Sequence, residues 1–222
     1  NHSVPLAATA TSGLAVTFTS ATPLVCSVSG ATATVLAGGT CSINADQAGN
    51  ASYAAAPQVS QSFAIAPASQ SISFTDPADR AFVANGPVAL TATATSGLAV
   101  SFGSTTPSVC SVSGSDAIML GTGVCTITAD QAGNASYTPA AQETQSFTIN
   151  RADQTISFTD PADTIYAPNR PVPLQATASS GLPVTFTSSP PGVCSVSGDT
   201  VTILAAGSCT VTAFQAGDAN YN

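Results

Sequence analysis

The sequence repeats itself every 84 residues, and a chain of that kind must fold as successive versions of one unit. Cys26, Cys110 and Cys194 are separated by this interval, as are Cys41, Cys125 and Cys209, and also Tyr53, Tyr137 and Tyr221. TSGLAVTF at Thr11 returns as TSGLAVSF at Thr95 and SSGLPVTF at Ser179. QAGN at Gln47 returns at Gln131, and as QAGD at Gln215. The register holds without insertion or deletion, a regularity that points to recent duplication or to selection on geometry.

Within a copy the signals are those of short strands. In the second copy SISFTD places Ile72 and Phe74 on one face, and VALTATA does the same for Val88, Leu90, Ala92 and Ala94. AVSF offers Val100 and Phe102, VCSVSG offers Cys110 and Val112, and AIML offers Ala117 and Met119. VCTITAD aligns Cys125, Ile127 and Ala129, and TQSFTI aligns Phe147 and Ile149. Seven period-two segments with Gly, Pro or Asn between most of them, and no sustained helical period, predict an all-β fold. An antiparallel sandwich of the immunoglobulin type fits that count.

The expected organisation is a linear array of tandem immunoglobulin-like β-sandwiches. The boundaries fall at residues 1–66, a first copy without its opening strand; 67–150, a complete copy; and 151–222, a third copy without its closing strand. The linkers are then Ala66-Pro67-Ala68-Ser69 and Asn150-Arg151-Ala152-Asp153, too short for free tumbling. A semi-rigid rod indifferent to divalent ions is expected. Asn1 aligns with Asn85 and Asn169, and Asn222 with Thr138 and Ala54, so the chain reads as a window on a longer array. Residues before Asn1 are expected to resemble Q-x-I-x-F-T-D-P-A-D, and those after Asn222 to lead into Q-x-F-x-I.

The run L-x-A-T-A-x-S-G-L-x-V-x-F-x-S-x-x-P-x-V-C-S-V-S-G, then G-x-C-T-[IV]-T-A and Q-A-G, resembles the bacterial Ig-like (Big-type) repeats of large secreted and surface proteins. The common version of that pattern has small residues such as Ala where this chain has Cys, so the resemblance is to a disulfide-containing variant. It implies a sandwich fold with an extracellular spacer or adhesive role, and it brings no catalytic residues.

Composition excludes several functions. Lys is absent, three Arg face ten Asp and the single Glu143, and the net charge is −8. Nucleic-acid binding needs Lys and Arg to displace phosphate counterions, and attraction to anionic lipid needs them too. No apolar run approaches the roughly 18 residues of a membrane-spanning helix. Without Lys no Lys–Asn isopeptide staple or lysine-based subunit linkage can form, and no C-x-x-C occurs to hold zinc.

The cysteines pair naturally as Cys26–Cys41, Cys110–Cys125 and Cys194–Cys209, each 15 apart and one strand removed from its partner. Buried free thiols and metal ligands are the alternatives. Oxidised pairs require export to an oxidising compartment.

The DPAD segments supply the calcium candidates Asp76, Asp79, Asp160 and Asp163. The competing reading is that Asp before Pro starts a turn. His2 is the only histidine and has Gly86 and Arg170 as counterparts, which argues against catalysis or metal binding. Asn50 and Asn134 open N-x-S sequons and read mainly as turn residues. Tyr53, Tyr137 and Tyr221, like Phe82 and Tyr166, are either adhesive contacts or rings packed on the end of a sandwich. Phe214 stands where the other copies have Asp46 and Asp130.

The expected function is structural: a spacer, stalk or fibre-forming segment outside a bacterial cell, with no enzymatic role and no cofactor. Its expected partners are further copies of the repeat and fibre neighbours. The alternative is an adhesive module that recognises a glycan or a protein through loops or a strand edge.

Overall fold

The computed structural model describes residues 2–222. Asn1, on which the alignment with Asn85 and Asn169 rests, lies outside the described residues. No helix occurs among those residues, and all regular structure is strand.

The first copy contains β1 (Ser3–Pro5), β2 (Thr17–Ser20), β3 (Cys26–Ser29), β4 (Thr32–Val35), β5 (Gly39–Asp46) and β6 (Val59–Ile65). The second contains β7 (Ile72–Phe74), β8 (Arg80–Ala81), β9 (Pro87–Ala89), β10 (Ala92–Ala94), β11 (Ser101–Ser104), β12 (Cys110–Ser113), β13 (Asp116–Met119), β14 (Gly123–Asp130) and β15 (Glu143–Asn150). The third contains β16 (Ile156–Phe158), β17 (Arg170–Pro173), β18 (Ala176–Ala178), β19 (Thr185–Ser189), β20 (Cys194–Ser197), β21 (Thr200–Ile203) and β22 (Thr210–Phe214).

The chain packs as two compact units that do not coincide with the sequence copies. One takes the chain up to Thr75 together with Thr91–Gly103 and Thr128–Gln145; the other takes Asp76–Leu90, Ser104–Ile127 and Ser146–Asn222. The second copy contributes to both.

In the first unit β1-β4-β3 form one antiparallel sheet and β2-β5-β6 another. Val4 and Val28 both stand opposite Ala33, the small residue over which their side chains close. Cys26, Ala33, Cys41 and Ile43 form the buried core, with Val4, Leu6, Phe18, Val25, Val28, Phe63 and Ile65 packed around it. β7 pairs with β10 in the same unit, and Phe74 meets Phe102 with ring centroids 5.4 Å apart.

The second unit repeats these pairings. β9-β13-β12 and β17-β21-β20 correspond to β1-β4-β3, β19-β22 corresponds to β2-β5, and β16-β18 corresponds to β7-β10. β8 runs parallel to the end of β15, with Arg80 opposite Ile149. Val88, Ile127, Phe147 and Ile149 are its fully buried large side chains. A first strand that pairs with the second and then crosses to the last, with a second-fifth-fourth sheet facing a third-sixth-seventh sheet, is immunoglobulin-type strand order.

The structure departs from the sequence reading twice. VALTATA is two strands, because β9 pairs with β13 whereas β10 pairs with β7. The break falls at Leu90, whose N–H donates to the Ser115 carbonyl at 2.8 Å while its side chain stays buried. β8 was not anticipated at all: two residues without alternation, paired to a strand almost 70 positions away, leave no local signal.

The Phe74–Phe102 contact predicts that Phe102→Ala costs the second copy about 3 kcal/mol or more. Hydrogen exchange across the second copy measures the loss.

Candidate functional site

The cysteines are placed by alternation on β3 and β5, β12 and β14, and β20 with the residue before β22. They are joined as Cys26–Cys41, Cys110–Cys125 and Cys194–Cys209, with Cα–Cα distances of 5.7, 5.7 and 6.0 Å. No cysteine is free among the described residues. Each bridge ties the fourth strand of the sandwich pattern to the sixth, across the two sheets. The antibody bridge ties the second to the sixth. Five of the six cysteines are completely buried.

A second recurrent element is the QAG turn. Asn134 Oδ1 accepts from the N–H groups of Ser136 at 2.8 Å and Tyr137 at 3.0 Å. Asn50 does the same for Ser52 and Tyr53, and Asp218 for Asn220 and Tyr221. The sequon asparagines are therefore turn acceptors, and Asp replaces Asn because only the oxygen is used. Gly133 has φ 74°, and a Cβ there would lie 2.3 Å from the Tyr137 carbonyl oxygen. Gly49 and Gly217 are built alike.

The linkers dock on this turn. Ala68 N–H donates to Ser136 O at 2.8 Å, and Thr138 N–H donates to Ala68 O at 2.9 Å. Ala152 makes the same pair with Asn220 and Asn222, each at 2.9 Å. Behind each linker a glutamine closes the arrangement. Gln70 Nε2 donates to Gln131 Oε1 and to Thr138 O at 2.8 Å, and Ser96 Oγ donates to Gln70 Oε1. Gln154, Gln215, Asn222 and Ser180 repeat the set. The sequence shows the recurrence of Gln131 and Gln215 but not the role that these glutamines take in joining linker, turn and opening strand.

The turn also meets the preceding copy. Gly38 N–H donates to Ser136 Oγ at 3.1 Å, and Gly38 is packed so closely on Ala135 O that a Cβ would collide with it. At the matching place Thr122 N–H donates to Asn220 Oδ1 at 3.1 Å and Thr122 Oγ1 to Ala219 O at 2.8 Å. Phe82 lies edge-on to Tyr221 at 5.8 Å, which assigns both to packing between successive copies.

The remaining candidates are not drawn together. Asp76, Asp79, Asp160 and Asp163 are all exposed, and no group of three or more His, Cys, Asp or Glu that could hold a metal occurs among the described residues. Asp79 Oδ1 instead accepts from Thr148 N–H at 2.6 Å. His2 is exposed, and its carbonyl accepts from Val35 N–H. Asp46 and Asp130 accept from Gln58 and Gln142 at 2.8 and 2.7 Å; Phe214 cannot, and its ring is exposed. Tyr166 is also exposed, with its hydroxyl 3.4 Å from Leu204 O.

No family model and no curated protein matches the chain. Among solved structures it is similar to mouse cadherin-23 EC22-24, with 16% identity, a TM-score of 0.34, and coverage of 89% of this chain and 80% of that one. Drosophila N-cadherin EC1-4 gives 11%, 0.28, 90% and 63%, and the S-layer protein rSbsC(31-844) gives 14%, 0.25, 89% and 29%. The strand pairing, not these likenesses, carries the fold assignment.

Two glycines separate backbone strain from steric clash. Gly97 has φ 75° and open space around its Cβ position, so Gly97→Ala should cost about 1–2 kcal/mol. Gly133→Ala adds the collision with Tyr137 O and should cost clearly more. Equilibrium denaturation of the two variants is the check.

Proposed function

We propose that this chain is a structural segment of a longer extracellular protein, in which tandem immunoglobulin-like domains at residues 1–66, 67–150 and 151–222 serve as a spacer, stalk or fibre. The observation that carries this is the recurrence of one joint. Gly38 with Ser136, and Thr122 with Asn220, put the same turn against the same edge 84 residues later. A module whose contacts to its neighbour recur is suited to propagating position along a chain.

Other features support the reading. Three disulfides fit an oxidising compartment, hence the cell exterior. The bacterial surface is proposed from the sequence resemblance alone. Neighbouring copies are the partners, with no enzymatic activity and no cofactor in the proposal.

A second reading has one observation in its favour. Ile165, Tyr166 and Phe214 are large exposed apolar residues of the third copy that stand where the second copy has Ala81, the buried Phe82 and Asp130. A surface that differs in this way between copies is what an adhesive site for a glycan or a protein requires.

Single-molecule extension of the 222-residue chain tests the structural reading. Oxidised copies should resist and then open in discrete steps. Reduction should lengthen each step by about 50 Å, because 15 residues at roughly 3.5 Å each are released from the disulfide loop. Smooth extension without steps in the oxidised chain would contradict a load-bearing role.

A further inference from the structure

The QAG turn of the second copy holds a group that the fold does not use. Asn134 Oδ1 accepts from the N–H groups of Ser136 and Tyr137, while Asn134 Nδ2 donates to no acceptor among the described residues. Other carboxamides at the sandwich ends spend their nitrogen on a partner. Gln142 Nε2 donates to Asp130 Oδ1 at 2.7 Å, Gln70 Nε2 to Thr138 O at 2.8 Å, and Asn222 Nδ2 to Asp153 Oδ1 at 2.8 Å. Asn134 stays exposed although the preceding copy sits against its neighbours Ala135 and Ser136. Its amide nitrogen is left to solvent.

The third copy shows what the turn itself requires. Asp218 Oδ1 accepts from Asn220 N–H at 2.7 Å and Tyr221 N–H at 2.9 Å, with no side-chain nitrogen at all. Asn220 takes over the joint contact of Ser136: its Oδ1 accepts from Thr122 N–H at 3.1 Å, as Ser136 Oγ accepts from Gly38 N–H at 3.1 Å. Neither Asn134 nor Ser136 is therefore demanded by the turn or by the joint. Yet Asn-Ala-Ser stands complete at Asn50 and at Asn134, and in the third copy both of its defining residues are exchanged together. What that exchange removes is an N-x-S sequon whose middle residue is not Pro. Asn1-His2-Ser3 has the same spelling and lies partly outside the described residues.

We propose that Asn134, and Asn50 in the same turn of the first copy, are N-glycosylation sites, and that the third-copy turn is not. In the transfer Nδ2 forms a bond to the anomeric carbon of a phosphate-activated glycosyl donor. The bond from that carbon to the phosphate oxygen breaks, the phosphate leaves with the electron pair, and one Nδ2 proton passes to a base of the transferase. Oδ1 remains a carbonyl acceptor, so the turn survives the modification. The bond from Ser136 N–H to Oδ1 at 2.8 Å holds the hydroxyl-bearing residue beside the carboxamide, as a sequon-reading enzyme requires. A bulky hydrated glycan beside each joint supplies solubility to a chain with only 6% charged residues. The proposal goes beyond the structural role and needs no mechanical function, so failure of one leaves the other standing.

The test is peptide mapping by mass spectrometry of the protein recovered from the cells that make it. The expected result is a glycan mass on the peptides carrying Asn50 and Asn134 and none on the peptide carrying Asp218. Ser136→Asn, which copies the joint contact of the third copy, should lose the glycan at position 134 and leave the unfolding midpoint of the unglycosylated chain unchanged. Ser136→Thr should keep the glycan. Asp218→Asn combined with Asn220→Ser should add one to the third copy. Labelled sugar supplied as a lipid-diphosphate-linked oligosaccharide with host membranes, or as a nucleotide-linked hexose with the soluble host extract, distinguishes the two donor sources by which one labels Asn134. Label from neither donor would overturn the proposal, as would a bare Asn134 in the protein from its own cells. A glycan that persists at position 134 in Ser136→Asn would also overturn it, because the sequon would then not be what is read.

Discussion

The disulfide between the fourth and sixth strands is the constraint on which each sandwich depends. The buried core of the first copy is Cys26, Ala33, Cys41 and Ile43, two of which are the bridge itself and one an alanine. An alanine removes little apolar area from water, so burial at about 25 cal/mol per Å² leaves such a core thin. Closing a 15-residue loop contributes on the order of 3 kcal/mol by restricting the unfolded chain. Polar side chains gather around the bridge and do not dilute it: Ser104 and Thr106 approach Cys110 Sγ at 3.4 and 3.5 Å, and Ser20 approaches Cys26 Sγ at 3.5 Å.

With the two sheets fixed to each other, the sandwich ends become dependable surfaces. The QAG turn is held by its Asn or Asp acceptor and by a glycine that no other residue can replace without collision. The linker alanine then adds one rung to the turn, and the glutamine behind it binds turn, linker and opening strand together. What reads in the sequence as a four-residue spacer is thus partly structured. Charge is hardly used; the joints are made from backbone groups, hydroxyls and carboxamides.

Alternation made most of the fold legible. Cys125, Ile127 and Ala129 are all completely buried, as a period of two requires, and the 15-residue cysteine spacing fits the fourth-to-sixth-strand bridge. The break at Leu90 was hidden because its side chain keeps the alternation while its backbone changes partner. β8 was hidden because its partner is distant and its two residues are exposed. The joints were illegible for another reason: Gly38 and Thr122 occupy equivalent positions without resembling each other, and each is explained only by the turn it meets. The Asp pairs that suggested a cation site are exposed and join no group of three or more metal-ligating side chains among the described residues, and Asp79 is an acceptor for a strand N–H.

The most direct test of the account is calorimetric unfolding of the 222-residue chain with and without a thiol reductant. Loss of about 3 kcal/mol from each copy should lower the melting temperature by roughly 10–25 °C for domains of this size. Coincident unfolding curves, with all six thiols titrating as free in the reduced sample, would contradict the central role given to the disulfides.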